Sequence, residues 1–384
     1  MFDADRFIDQ KVRNMDASGI RKVFELAKSM KDPINFSIGQ PDFDVPDEVK
    51  AVAIKAIEEG FNSYTLTQGC SQIWDKINGR VGEQFPHWKD PGYGTLITSG
   101  VSGALMLALL TCVGPGDEVL IPDPYFVMYK HLITLSGATA VCVDTYPDFQ
   151  ITAQRIEPYV TPRTKLLLFN TPSNPTGVVA TQASCREVAE LAERKDFLIL
   201  SDEIYDDFCY EKVLVDGQKR CPSPASYTDR VILMRGFSKT YGMTGWRLGY
   251  AAGPSAILDQ MTKLQQYSFV CAPSMVQLAG AAAIDVDMSQ FVHSYAKKRQ
   301  RVVERLSGHY ELTNPGGAFY AFPKVPEHLG LTGSEFVGKA IEKQLLMIPG
   351  AIFSERDTHF RISYACSDEQ LERGLDVLVD LAKR

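Results

Sequence analysis

Residues 166–177 read LLLFNTPSNPTG, four apolar residues of the kind buried strands use, running straight into a turn dense in proline and glycine. Two later stretches repeat the arrangement. FLIL at 197–200 leads into Ser201-Asp202-Glu203-Ile204-Tyr205, and VILM at 231–234 leads into Arg235-Gly236-Phe237-Ser238-Lys239. Similar short runs lie at 95–98, 118–121, 139–143 and 247–251, and most alternate with longer helical patterns at 102–113, 124–136, 182–195 and 254–267. Short apolar runs that alternate with helices are strands covered on both faces. The pattern predicts an α/β, doubly wound architecture: a large domain with a mostly parallel seven-stranded sheet flanked by helices.

Outward from this core, Pro46-Asp47 opens a segment in which Val49, Val52, Ala53, Ala56 and Ile57 recur at helical spacing, ended by Gly60. A charged helical stretch at 288–306 leads into GGAFYAF at 316–322, then a further helix and the run 360–364, which predicts a smaller α+β domain. With 384 residues, two domains are expected rather than one. The division is 1–45 as an N-terminal arm and part of the small domain, 46–284 as the large domain and 285–384 as the small C-terminal domain.

A net charge of −7 spread along the chain argues against a nucleic-acid surface, which needs concentrated Lys and Arg. The first residues, MFDADRFIDQKVRNM, lack the apolar core of a secretory signal, and no apolar run reaches bilayer length, so a cytoplasmic protein without membrane contact is expected. The eight cysteines form no C-x-x-C pair and read as reduced thiols; the six histidines show no metal-ligand spacing. Neither G-x-x-x-x-G-K-[ST] nor G-x-G-x-x-G occurs.

In open α/β sheets ligands bind at the carboxyl ends of the strands. There the chain places an amide (Asn174), a carboxylate (Asp202), a phenol (Tyr205), a lysine (Lys239) and an arginine (Arg247). Singly they have bland readings: Asn174 as a turn-former, Asp202 as a helix cap, Lys239 as a solvated surface charge. Together they suit an aromatic cofactor bearing a phosphate, a ring nitrogen and an aldehyde.

In order and spacing, Asn174-Pro175-Thr176-Gly177, Ser201-Asp202-Glu203-Ile204-Tyr205 and Ser238-Lys239 with Gly245-Trp246-Arg247 resemble the fold-type I, class I aminotransferases of the aspartate and aromatic kind. The likeness extends from Gly39-Gln40-Pro41-Asp42-Phe43 to Phe360-Arg361-Ile362-Ser363. It implies pyridoxal 5′-phosphate as cofactor and Lys239 as the residue forming a Schiff base with its aldehyde, then moving a proton during transfer. Asp202 would pair with the ring nitrogen, Asn174 and Tyr205 would hydrogen-bond the phenolic oxygen, and Tyr125 would stack on the ring. Gly100, Val101, Ser102, Ser238 and Arg247 would hold the phosphate at a helix N-terminus. Tyr64 would reach the phosphate of the neighbouring subunit in a homodimer. Arg361, with Gly39 and Asn174 beside it, would grip the substrate carboxylate. The implied reaction moves an amino group from an α-amino acid (aspartate, aromatic or similar) to an α-keto acid such as 2-oxoglutarate.

Two places depart from the family's pattern: Gly236 stands where many relatives carry a hydroxyl, and Cys70-Ser71-Gln72-Ile73-Trp74-Asp75 replaces a more usual Leu-Arg pattern. Three alternatives compete. The shared residues also serve C–S or cyclopropane-forming lyases of the same fold. Gly100-Val101-Ser102-Gly103-Ala104 nearly spells a serine-hydrolase elbow but ends in Ala. A regulatory module of the same fold would follow a DNA-binding extension, for which the sequence gives no basic face.

Overall fold

The computed structural model describes residues 2–13, 15, 30–88, 92–215 and 218–383. Residues 16–29 of the expected N-terminal arm lie outside the described residues. All seven apolar runs form strands of one sheet: β1 (Tyr93–Thr98), β2 (Glu118–Asp123), β3 (Thr139–Asp144), β4 (Thr164–Asn170), β5 (Leu198–Asp202), β6 (Val231–Gly236) and β7 (Gly249–Pro254). Their order is β1-β7-β6-β5-β4-β2-β3. Only β7 runs against its neighbours; the other pairings are parallel.

Alternate residues of these strands feed two cores, one on each face. Leu166 and Leu168 join one cluster while Leu167 and Phe169 join the other, and Ile232 and Met234 are split from Val231 and Leu233 in the same way. That is the two-residue period of a pleated strand with neither face left in water, which explains why the runs are apolar throughout rather than alternating.

Helices cover both faces: α1 (Asp47–Glu58), α2 (Ser71–Gln84), α3 (Gly100–Cys112), α4 (Met128–Ser136), α5 (Gln182–Lys195), α6 (Ser255–Gln266) and α7 (Ser274–Ala283). The sequence sets their ends. Thr181 caps α5 by accepting from the Ser184 amide, and Asp196 closes it in the left-handed region at φ 58°. α3 is buried on nearly every side, from Val101 through Leu109, so it is apolar all round rather than on one stripe. The pattern at 124–136 is helical only from Met128 onward; Tyr125 before it gives its amide to the Phe353 carbonyl at 2.7 Å instead.

The C-terminal block holds α8 (Ser289–Leu306), α9 (Gly333–Glu342) and α10 (Asp368–Ala382) around a small antiparallel sheet of β8 (Tyr320–Ala321), β9 (Ile348–Pro349) and β10 (Phe360–Ser363), ordered β8-β10-β9. Ser367 caps α10, with Asp368 and Glu369 in the first turn where the helix dipole favours negative charge. The N-terminal pair Ile34–Asn35 runs parallel to Leu345–Leu346, and the Ser363 amide donates to the Phe36 carbonyl at 2.7 Å. The chain's beginning is thereby tied to its end, beside β10. Among the described residues no helix is long and apolar enough to cross a membrane.

Candidate active site

The carboxyl ends of β4, β5 and β6 deliver Asn170, Asp202 and the short helical turn Phe237–Thr240 that bears Lys239 to one edge of the sheet. At the same edge β1 ends, α3 begins and antiparallel β7 starts, with Gly249 in register with both Thr98 and Gly236. Backbones meet closely there. A Cβ on Gly249 would lie 2.7 Å from the Gly100 carbonyl carbon and 2.8 Å from the Val101 nitrogen. Gly236 is held likewise: a side chain would come within 3.1 Å of the Leu248 carbonyl oxygen. The missing hydroxyl at Gly236 therefore goes with a tight crossing of β6 and β7.

Between this edge and the C-terminal block lies a cavity of about 300 Å³. Lys239 lies in its wall and donates to the Gly39 carbonyl at 2.6 Å. Burial, with Arg361 and Arg247 adding repulsion, pushes its amine down to about 8. Asp202 is 3% exposed, and burial pushes its carboxyl up to about 6, against the Tyr129 hydroxyl that donates to Oδ2 at 2.7 Å. Tyr205 is buried with its hydroxyl 2.8 Å from that of Tyr320. Asn170 fixes this corner: its amide donates to the Asp202 carbonyl at 2.8 Å, and its side-chain oxygen accepts the Asn174 backbone amide at 2.8 Å.

Arg361 projects from β10 and is 1% exposed. Its Nη1 donates to Asn174 Oδ1 at 3.1 Å and its Nη2 to the Ser37 carbonyl at 2.7 Å, while Nε is buried without a hydrogen-bond partner. The Tyr320 and Phe353 rings flank the guanidinium, with centroids at 4.6 and 4.8 Å. A buried cation with no carboxylate against it and a donor unspent is a seat for an anion. Elsewhere in the wall Arg247 Nη2 lies 3.4 Å from Ser102 Oγ, beside the start of α3 and close enough to Gly100 that a Cβ there would meet Nη2 at 2.8 Å.

The sequence profile described as "Aminotransferase class I and II" matches residues 31–378. The chain belongs to that family. Aspartate aminotransferase of Pyrococcus abyssi is 35% identical, with 94% of this chain and 95% of that one covered. Aromatic-amino-acid aminotransferase 2 of Thermococcus litoralis is 34% identical, with 98% of each covered. The crystal structure of aspartate aminotransferase from Thermotoga maritima superposes with a TM-score of 0.89 at 30% identity, covering 98% of this chain and 100% of that one. The protein is a pyridoxal-phosphate-dependent aminotransferase of fold-type I, and these relatives' names do not favour the lyase alternative.

The aminotransferase's cavity fits that cofactor on its own observations. One end offers Arg247, Ser102 and the free amides of a helix N-terminus for a dianion. The middle offers a lowered amine for an aldehyde. Asp202 supplies a buried acid with a single neutral side-chain donor, suited to a ring nitrogen.

Most of the residues expected from the sequence converge here: Gly39, Val101, Ser102, Asn174, Asp202, Tyr205, Ser238, Lys239, Arg247 and Arg361 all line the cavity. Gly100 abuts Arg247 behind the wall. Tyr64 lies outside this chain's own cavity, 83% exposed. Tyr125 is a correction. Its ring lies elsewhere and its hydroxyl donates to Glu355 Oε1 at 3.1 Å, while Phe126 faces the cavity. Adjacent residues outside the helix point in different directions, so an alignment one residue off picks the wrong aromatic. The sequence reading also missed Tyr129, Asn170 and Tyr320. Asn170 carried a signal, since it directly follows the apolar run of β4; Tyr129 and Tyr320 sit in ordinary helix and strand patterns and gave none.

Proposed function

We propose that this aminotransferase uses Lys239 as its cofactor-bearing and proton-carrying residue, moving the amino group of an α-amino acid to an α-keto acid such as 2-oxoglutarate. The observation that carries this reading is the Lys239 amine, lowered to about 8 and facing a cavity that also holds Asp202, Tyr205 and Arg361. When bound, pyridoxal phosphate supplies an aldehyde that condenses with amines and a ring that accepts the electron pair left on the substrate α-carbon. Lys239 would hold that aldehyde and, as a free amine, would carry a proton at the substrate α-carbon. Asp202 holds the ring nitrogen protonated; Asn174 and Tyr205 hydrogen-bond the phenolic oxygen. Gly100, Val101, Ser102, Ser238 and Arg247 hold the phosphate. Phe126, in place of Tyr125, covers the ring face. Arg361 binds the α-carboxylate beside Gly39 and Asn174.

Among the described residues, the cations in the cavity wall are Lys239, Arg247 and Arg361. Each serves the aldehyde, the phosphate or the α-carboxylate. None is left in this wall for the second carboxylate of aspartate or 2-oxoglutarate, and the donor is proposed as aspartate, an aromatic amino acid or a similar one. The reading extends to a homodimer, supported by the exposure of Tyr64 away from its own cavity, and to a cytoplasmic location. It also extends to the division into 1–45, 46–284 and 285–384, supported by the pairing of Ile34 with Leu345. The deciding experiment is a half-reaction. Loaded protein mixed with single amino acids should convert its visible spectrum to that of the aminated cofactor, and a keto acid should reverse it. Release of pyruvate and ammonia together would defeat the proposal.

A further inference from the structure

Tyr320 stands where three parts of the cavity meet. Its hydroxyl lies 2.8 Å from that of Tyr205. Its ring carries the Arg361 guanidinium at 4.6 Å from the centroid. A Cβ on Gly39, whose carbonyl receives Lys239, would fall 2.6 Å from the Tyr320 hydroxyl. The side chain is buried, its ring edge-on to Tyr205 at 5.6 Å, and β8 pairs directly with β10, placing Tyr320 opposite Ser363. The strand that bears the ring is thus hydrogen-bonded directly to the strand that bears Arg361.

We propose that Tyr320 is a positioning residue: it aims the Tyr205 hydroxyl at the cofactor's phenolic oxygen and links that hydrogen bond to the carboxylate-binding Arg361. This rests on the proposed function, in which Tyr205 faces that oxygen. Each phenol owns a single proton. Once Tyr205 gives its own to a ligand oxygen, the contact between the two hydroxyls persists as a hydrogen bond only with Tyr320 as donor. Accepting that bond polarises the Tyr205 O–H and strengthens the one it donates. Arg361 acts in the same direction. Burial pushes the Tyr320 phenol up, and the cation across its ring opposes that push, making the hydroxyl a better donor. A stronger bond to the phenolic oxygen favours its anion and lowers the proton affinity of the nitrogen that joins Lys239 to the cofactor.

Two substitutions separate the hydroxyl from the ring. Tyr320→Phe keeps the face under Arg361 and removes the donor; Tyr320→Leu removes both. In cofactor-loaded protein the pH titration of the visible band should move up by about half to one unit in the Phe variant, the worth of one hydrogen bond. kcat near neutral pH should fall about tenfold while the amino-acid KM stays within about threefold. In the Leu variant the KM should rise about tenfold as well. A Phe variant with an unmoved or lowered midpoint overturns the aiming role, and an unmoved KM in the Leu variant overturns the link to Arg361. A wild-type visible band that does not titrate, or that survives unchanged in Lys239→Ala, would instead sink the proposed function, and the Tyr320 role with it.

Discussion

Asp202 and Glu203 are adjacent in sequence and almost equally buried, at 3% and 1% exposure, yet they have opposite surroundings. Glu203 is saturated. Arg235 donates to its Oε2 through Nε at 3.1 Å and Nη2 at 2.8 Å, and the Ser201 and Ser223 hydroxyls donate to its Oε1 at 2.7 and 2.5 Å. Asp202 receives the Tyr129 hydroxyl and a long 3.3 Å contact from the Ile204 amide, with Lys239 in the same cavity wall as a cation acting on it. A buried charge is tolerated where partners are built in. Where the fold leaves a carboxylate, an amine and a guanidinium short of partners around one cavity, the partner is the ligand. The Glu203 cluster holds the sheet's neighbouring elements together, and the Asp202 cavity trades stability for chemistry.

The largest expected effect breaks the cavity side of that contrast. Lys239→Ala should lower turnover by a factor on the order of 10⁵ or more while the protein still binds cofactor non-covalently, measured by single-turnover absorbance. Next comes the saturated cluster. Glu203→Ala leaves Arg235 with Asp206 as its remaining carboxylate and strands the Ser201 and Ser223 hydroxyls, so it should cost about 1–3 kcal/mol in denaturant unfolding, with turnover per folded molecule nearly intact. A loss of turnover without loss of stability would reverse the roles assigned to the two carboxylates.

Arg361→Ala should raise the amino-acid and keto-acid KM roughly 100-fold, the worth of one charge-assisted pair of hydrogen bonds, with a smaller change in kcat. The subtlest effect concerns the cofactor-free protein. Folding raises the Asp202 carboxyl from 3.8 to about 6, so the folded state binds the extra proton. Stability contributed by this group is full below about pH 4, declines as pH rises through the window between those values, and stays diminished above it. Asp202→Asn should therefore stabilise the cofactor-free protein by about 1–3 kcal/mol at pH 8 and by little at pH 4, while reducing turnover. A thermal or urea midpoint that is lower for the variant at pH 8 would contradict the unpaired character of Asp202.

What could be read from residues alone follows from range. The strands were legible because each run is buried on both faces by its own composition, and Asn174, Asp202 and Lys239 were legible because they follow those runs directly. The direction of β7 was not, since Gly249 to Pro254 resembles the parallel strands and only its pairing with Thr98 and Gly236 reveals the reversal. Phe126 was missed because the local geometry before α4 decides which of two neighbouring aromatics faces inward. Tyr129 reaches Asp202 across 73 positions and Tyr320 reaches Tyr205 across 115; contacts that distant leave no local pattern.

The central claim is that the under-partnered amine of Lys239 is where the cofactor attaches. Purified protein loaded with pyridoxal phosphate, reduced with borohydride and digested should yield one modified peptide, with the added mass on Lys239. An adduct on another lysine, or none from protein that demonstrably holds the cofactor, would contradict the account.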